Sequence, residues 1–409
     1  MNSSALRPYH ACYPHYTSYS FADVPVSRPP RLTVAEEASG RRQEDYHLIW
    51  ETWMNNAPPG SLEHRAIACE RMKNCLANND HELYLTEMNL SSLPSPLPPC
   101  IKLHLSDNRL EILPELPPEL EYLDASNNQL RELPVNLPPQ LTFLLVDYNQ
   151  LEALPENLPD RLKILLACNN SLTALPERLP AGMLTLKVCN NCLSALPAVL
   201  PTQLTHLAVD ANRLSTLPNV LPPRLITLSA NFNNLQSLPN MLHTAIATLL
   251  ISNNWLGKLD DALPKDILFL DASFNQLTRL PDTLGEKQPR LMFLNLSNNS
   301  LTSLPACLPA GLTQIYLGHN QLTALPPCLP ETLVYLQVRN NLLRTLPASL
   351  PAGLARLQAE NNQLVSLPET LPASLTHLTL TNNQLTALPK TLLTGLAYLN
   401  VDNNPLPSC

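Results

Sequence analysis

Three groups of residues carry side chains of a type that could do chemistry. Cys168, Cys189 and Cys192, with His206 further along, bring thiols and an imidazole into neighbouring stretches of chain, and these are the types that hold zinc or act as nucleophiles. His104 and Asp124 could form an acid–base pair. The third group is aromatic and apolar: Phe143, Leu145, Tyr148, Ile164 and Leu166, then Phe269, Phe274, Phe293 and Tyr316. Residues of that kind dominate binding hot spots. The first two groups fail on pattern. No C-x-x-C spacing accompanies the cysteines, and His206 falls in a different repeat position from Cys168 and Cys189. No phosphate loop or dinucleotide fingerprint occurs either. The thiols therefore read as structural or incidental, and no catalytic residue, metal or cofactor is expected.

The third group sits in a repeat. "LEYLDASNNQLRELPVNLPPQ" begins at Leu120, and "LTFLLVDYNQLEALPENLPDR" follows from Leu141. The rule is L-x-x-L-x-L-x-x-N-x-L-x-x-L-P-x-x-L-P-x-x. Its marker Asn recurs as Asn108, Asn128, Asn149, Asn170, Asn191, Asn212, Asn233, Asn254, Asn275, Asn299, Asn320, Asn341, Asn362, Asn383 and Asn404. These fifteen units have a spacing of 21 except for one 20 and one 24, and a degenerate unit with Met88 in the Asn slot precedes them. This is the leucine-rich-repeat signature at the short end of its range of periods.

The spacing dictates the architecture. L-x-L alternates, so it reads as a short strand with leucines inward and the intervening residues in solvent. One unit cannot bury its apolar side alone, whereas parallel stacking gives one continuous core. Each buried Leu contributes roughly 1.5–3 kcal/mol. The marker Asn leaves the strand and can bond the turn backbone of its own and the adjacent unit, forming a structural amide ladder. Behind it, L-P-x-x-L-P excludes a helix interior and predicts an extended, polyproline-like back. The expected fold class is an α/β-type solenoid of 21-residue repeats. It has a parallel concave β-sheet, an extended convex side and a two-helix N-terminal cap.

Three divisions follow: residues 1–41 as a flexible leader, 42–80 as a helical cap and 81–409 as the solenoid. In the cap, Tyr46, Ile49, Trp50 and Trp53 share one helical face. Ser61 is placed to cap a second helix whose Leu62, Ala66, Cys69, Met72 and Leu76 recur at helical spacing. Three extra residues, Gly285, Glu286 and Lys287, lie between strands and should leave the register alone. Asp260 replaces a proline of the back, and the chain stops part-way through the last unit.

On the concave sheet, Phe143, Leu145, Tyr148, Ile164 and Leu166 are expected to meet across two strands as an exposed apolar cluster. Phe269, Phe274, Phe293 and Tyr316 form a second. Asp124, Asp147 and Asp210 lie nearby and point to a basic partner. The alternative is that these columns only pack the rim of the sheet.

Composition removes other classes. With 42 Pro but only 9 Gly, the chain is not collagen-like. No stretch of 18 apolar residues exists, so no membrane span is expected. Thirty-four acidic against 26 basic residues, a net −8, disfavours a nucleic-acid surface. The 10 Cys are scattered, which argues for reduced thiols, and the N-terminus has no signal-peptide pattern.

The repeat unit, preceded by "YHLIWETWMNNAPPG" and "EHRAIACERMKNCL", resembles the type III secreted leucine-rich-repeat effectors of Gram-negative pathogens. These are the Yersinia outer protein M type and the invasion-plasmid-antigen and Salmonella ubiquitin-ligase types. The resemblance covers residues 42–409. It implies that residues 1–41 are a secretion leader read by the bacterial injection machinery. It also implies that the solenoid binds host proteins, such as kinases or immune-signalling components, in the host cytoplasm, with the nucleus as a further destination. Many members continue into a ligase domain with a catalytic Cys in a C-x-D motif, which this sequence lacks. The resemblance therefore implies a non-catalytic scaffold. The alternative is the substrate-recognition portion of an E3 ubiquitin ligase whose catalytic domain is truncated or missing.

Overall fold

The computed structural model describes residues 43–239, 245–259, 263–389 and 395–407. The leader assigned to 1–41, Asp260 and the terminal Cys409 lie outside them.

Sixteen strands of three residues each form one parallel sheet in strict chain order. They are β1 (Glu82–Tyr84), β2 (Lys102–His104), β3 (Tyr122–Asp124), β4 (Phe143–Leu145), β5 (Ile164–Leu166), β6 (Thr185–Lys187), β7 (His206–Ala208) and β8 (Thr227–Ser229). Then follow β9 (Thr248–Leu250), β10 (Phe269–Asp271), β11 (Phe293–Asn295), β12 (Gln314–Tyr316), β13 (Tyr335–Gln337), β14 (Arg356–Gln358), β15 (His377–Thr379) and β16 (Tyr398–Asn400). The central residue of each strand points inward; Leu123, Leu144, Leu165 and Leu186 are completely buried. One apolar core runs unbroken from Trp50 of the cap to Leu385, as nearest-neighbour stacking requires.

Strands stop after three residues because the chain turns sharply before each marker Asn. The preceding residue is left-handed in every coil: Asn127 has φ 53°, Asn190 51° and Asn361 56°. Asn tolerates that conformation best among residues with a side chain, which explains the N-N pairs along the sequence. The marker amide then joins coils. Asn254 Nδ2 donates to Ala230 O of the preceding coil (2.9 Å) and to Ile251 O of its own (3.1 Å), while Oδ1 accepts from Leu235 N (3.0 Å). The same pattern recurs at Asn128, Asn191 and Asn341. It satisfies buried backbone groups that no strand reaches.

The back is extended, with a tight turn before each inward leucine: Leu141 N donates to Pro138 O (3.1 Å) and Leu204 N to Pro201 O (3.0 Å). The three-residue insert becomes a single helical turn, α3 (Leu284–Lys287), and Phe269 still pairs with Phe293 across it. Gly285 is required there, because a Cβ would lie 2.5 Å from Cys307 O.

The cap is α1 (Gln43–Asn55) and α2 (Arg65–Asn78). Tyr46 and Trp50 are buried, and Trp50 Nε1 donates to Pro96 O (2.9 Å). Ile49 and Trp53 pack partly against the core. The second helix departs from the sequence-based expectation. It begins at Arg65 rather than after Ser61, Leu62 is 75% exposed, and Ala66 also faces solvent. Its inner face is Ala68, Cys69, Met72 and Cys75, with Leu76 partly buried against the core. Tertiary contacts decide this: His64 N donates to Met88 O (3.0 Å), and Glu63 is drawn to Ser91 (2.5 Å) and Arg65.

Candidate protein-binding surface

In-register pairing sets each outward strand residue beside its counterpart in the next coil. Tyr122, Phe143 and Ile164 are successive register partners, separated by one strand spacing of about 4.8 Å. Register partners and diagonal neighbours on adjacent strands together form two rows of rings. In the first, Tyr84 stacks on His104 (4.3 Å between centroids, 8°), His104 leans on Tyr122 (5.0 Å), and Tyr122 on Phe143 (5.7 Å). In the second, Phe269 stacks on Phe293 (3.9 Å, 3°), Phe293 meets Tyr316 (5.3 Å), and Tyr316 meets Tyr335 (4.9 Å). All of these side chains are half-buried except the more exposed Tyr84. Tyr84, Tyr122 and Tyr335 were not among the expected cluster residues, although all three occupy outward strand positions of the repeat.

Three expected members sit elsewhere. Leu145 is only 8% exposed, not part of an open cluster, because it lies between its register partners Asp124 and Leu166 in the middle of the sheet. Ile164 and Leu166 remain half-buried at its side. Tyr148 and Phe274 are left-handed (φ 54° and 52°) in the turn that follows the strand, at 61% and 53% exposure. They belong to the rim of the sheet rather than to the ring rows. Phe232 occupies the same left-handed position and is likewise exposed.

The acidic residues link coils. Asp210 Oδ1 accepts from Ser229 Oγ (2.6 Å) and Asn231 N (2.8 Å), and its Oδ2 accepts from Cys189 Sγ (3.3 Å). Asp147 accepts from Cys168 N (2.5 Å); burial pushes its carboxyl above the usual range in spite of that bond. Asp124 accepts from Ser126 N (3.1 Å) and remains half-buried beside the first row. Only Asp124 therefore stands near the rings without a bond to another coil.

Neither catalytic alternative assembles. Cys189 N donates to Cys168 Sγ (3.2 Å), so these thiols continue the polar line between Asp147 and Asp210. His206 pairs in register with Thr185, away from both. Among the described residues no group of three or more His, Cys, Asp or Glu could hold a metal ion. His104 and Asp124 are register partners, but His104 Nε2 is buried without a hydrogen-bond partner, and burial holds its imidazole below the ordinary range. No helix among the described residues is long and apolar enough to cross a membrane.

This is a leucine-rich-repeat solenoid with an open, ring-lined sheet face and a helical cap at one end. Residues 26–70 match a family model described as type III secretion system leucine rich repeat protein, and residues 290–310 match a leucine rich repeat model. The solved structure of YopM, a leucine-rich effector protein from Yersinia pestis, superposes with a TM-score of 0.65 at 35% identity, covering 90% of this chain and 97% of that one. The chain belongs to the family of type III secreted leucine-rich-repeat effectors. Among curated relatives, the outer membrane protein YopM of Yersinia pestis is 36% identical over 119 residues, 29% of this chain and 24% of that protein. The E3 ubiquitin-protein ligase SspH1 of Salmonella typhimurium is 40% identical over 104 residues, 25% of this chain and 14% of that protein. The matched stretch thus spans less than a quarter of either curated relative.

Proposed function

We propose that the protein is a non-catalytic scaffold that binds host signalling proteins, kinases or immune-signalling components among them, through its sheet face. Residues 1–41 serve as the leader read by the secretion machinery, and the site of action is the host cytoplasm, with access to the nucleus. The observation that carries this reading is the pair of ring rows on a pre-ordered sheet. Aromatic side chains already fixed in place lose little entropy on binding. Asp124 beside the first row favours a basic group on the partner there. The likeness to YopM, itself described as an effector, supports the same assignment.

The test is quantitative capture from host-cell lysate on the full chain. Tyr84→Ala with Phe143→Ala should reduce recovery of the specific partner roughly tenfold or more while the melting curve stays within a few degrees. Unchanged recovery ends the assignment. Leu145 is unsuitable for such a test, because truncating a buried Leu costs about 2–5 kcal/mol and confounds binding with folding. A second reading, the recognition portion of a ubiquitin ligase, is favoured by the similarity to SspH1. That reading predicts no ubiquitin discharge by the chain alone, but ubiquitin transfer to the captured partner when the chain is fused to an active ligase domain; no such transfer would favour the scaffold.

A further inference from the structure

The charges on the sheet face are answered unevenly. On β1 and β2 they are paired within the chain: Lys102 Nζ and Tyr84 Oη both donate to the Glu82 carboxylate at 2.5 Å. On β13 and β14 they are not. Arg339, two residues beyond β13, and Arg356, which opens β14, are both exposed, and their guanidinium groups make no ion pair or hydrogen bond among the described residues. The acid in the coil of β14, Glu360, accepts from Thr379 Oγ1 (2.7 Å) on the side away from β13.

These arginines terminate the second ring row. Arg356 is the register partner of Tyr335, which follows Tyr316, Phe293 and Phe269. From β10 to β14 there are four strand steps, roughly 19 Å at about 4.8 Å each. An extended peptide covers that distance in about six residues at roughly 3.3 Å apiece. The row is polar at its arginine end, where Tyr335 Oη donates to Gln358 Oε1 (2.8 Å). At its other end Phe269 and Phe293 stack face to face, and Asp271 of the same strand as Phe269 is buried, accepting from Ser273 Oγ (2.6 Å) and Asn295 Nδ2 (3.2 Å). The row is thus apolar at the phenylalanine end and cationic at the arginine end, which gives the surface a direction.

We infer that the face over β10–β14 docks an acidic peptide segment lying across the strands, an apolar side chain on Phe269 and Phe293 and carboxylates on Arg339 and Arg356. Guanidinium forks match carboxylates bidentately and stack on aromatic rings, which suits the end of a ring row. Two arginines on a chain of net charge −8 are too few for a nucleic-acid footprint. The inference rests on the reading that the sheet face binds proteins, and it specifies what one half of that face accepts.

A peptide-display selection on the full chain, from random peptides of about twelve residues, tests it. The expected enrichment is an aromatic or aliphatic residue separated by about four to six positions from two or more Asp or Glu. Synthetic copies of the enriched peptide should bind roughly tenfold or more weakly to the Arg339→Glu/Arg356→Glu variant. They should bind less weakly to Arg339→Gln/Arg356→Gln, and their affinity should fall with salt. Phe143→Ala should leave them unaffected. No enrichment, enrichment without acidic residues, equal binding by the charge-reversed variant, or displacement by a single-stranded oligonucleotide but not by polyglutamate each overturns the inference. Peptides that respond to Phe143→Ala rather than to the arginine variants overturn it and leave the wider reading of the face standing. Peptides insensitive to both sets of substitutions overturn both.

Discussion

At the residue scale, the position before each marker Asn shows what the repeat tolerates. Every coil there is left-handed, and most carry Asn, but Phe232 and Phe274 hold exposed rings at φ 53° and 52°. A non-Gly residue in that region costs roughly 1–2 kcal/mol, and Asn relieves part of it through its short polar side chain. Phe232→Asn and Phe274→Asn should therefore each stabilise the protein by about 0.5–1 kcal/mol in chemical denaturation; a loss of stability would show that the rings pack productively. His104 offers a second residue-scale test. Burial lowers its imidazole pKa, opposed by Asp124 and Glu82 and aided by Lys102. The folded chain then binds fewer protons here than the unfolded one, whose His titrates near 6.5. This contribution is full above that value and is lost as pH falls through the lower folded value. His104→Phe should flatten the decline in denaturation midpoint between about pH 7.5 and pH 5. An identical slope in both proteins would remove His104 from the account.

At the element scale, Arg65 is a central latch of the cap. Arg65 is buried at 6% exposure and pairs with Glu63. It also donates to Trp53 O (2.8 Å) and Ser92 Oγ (3.1 Å) and lies over the Trp53 ring (4.9 Å). It thereby ties α1, α2 and the first coil together. Burial works against the Glu63 carboxylate, yet bonds from Ser91 and Arg65 hold it below the usual range. Removing one partner of such a pair costs about 3–5 kcal/mol. Arg65→Met should produce that loss at neutral pH, together with greater protease sensitivity at α1. A melting curve matching the parent would show that the latch is not needed.

At the scale of the whole molecule, stability is a sum over neighbours. Interior coils bury their central strand leucines fully, as at Leu228 and Leu249, whereas Leu399 and Val401 of the coil bearing β16 are half-buried and Tyr398 is 49% exposed. Local opening free energy follows buried apolar contact. Amide exchange should accordingly be fastest at β16 and slow progressively toward β10, with the Trp50 end protected by the cap. Uniform protection from β1 to β16 would instead mean that the stack opens as a single unit.

What the sequence determined was everything that repeats. A 21-residue period with L-x-L and a marker Asn already implies the parallel register, the single core and the extended back, because in a solenoid each contact is made with the equivalent position one period away. The cap helices were legible for a similar reason, their apolar spacing being local. What only the tertiary structure decided was how individual side chains are presented. The left-handed turn sends Tyr148 and Phe274 to the rim, the flanking strands bury Leu145, and contacts with the first coil delay the start of α2 to Arg65. Those outcomes depend on backbone handedness and on neighbours in adjacent coils, and a pattern of residue types along one chain does not encode either.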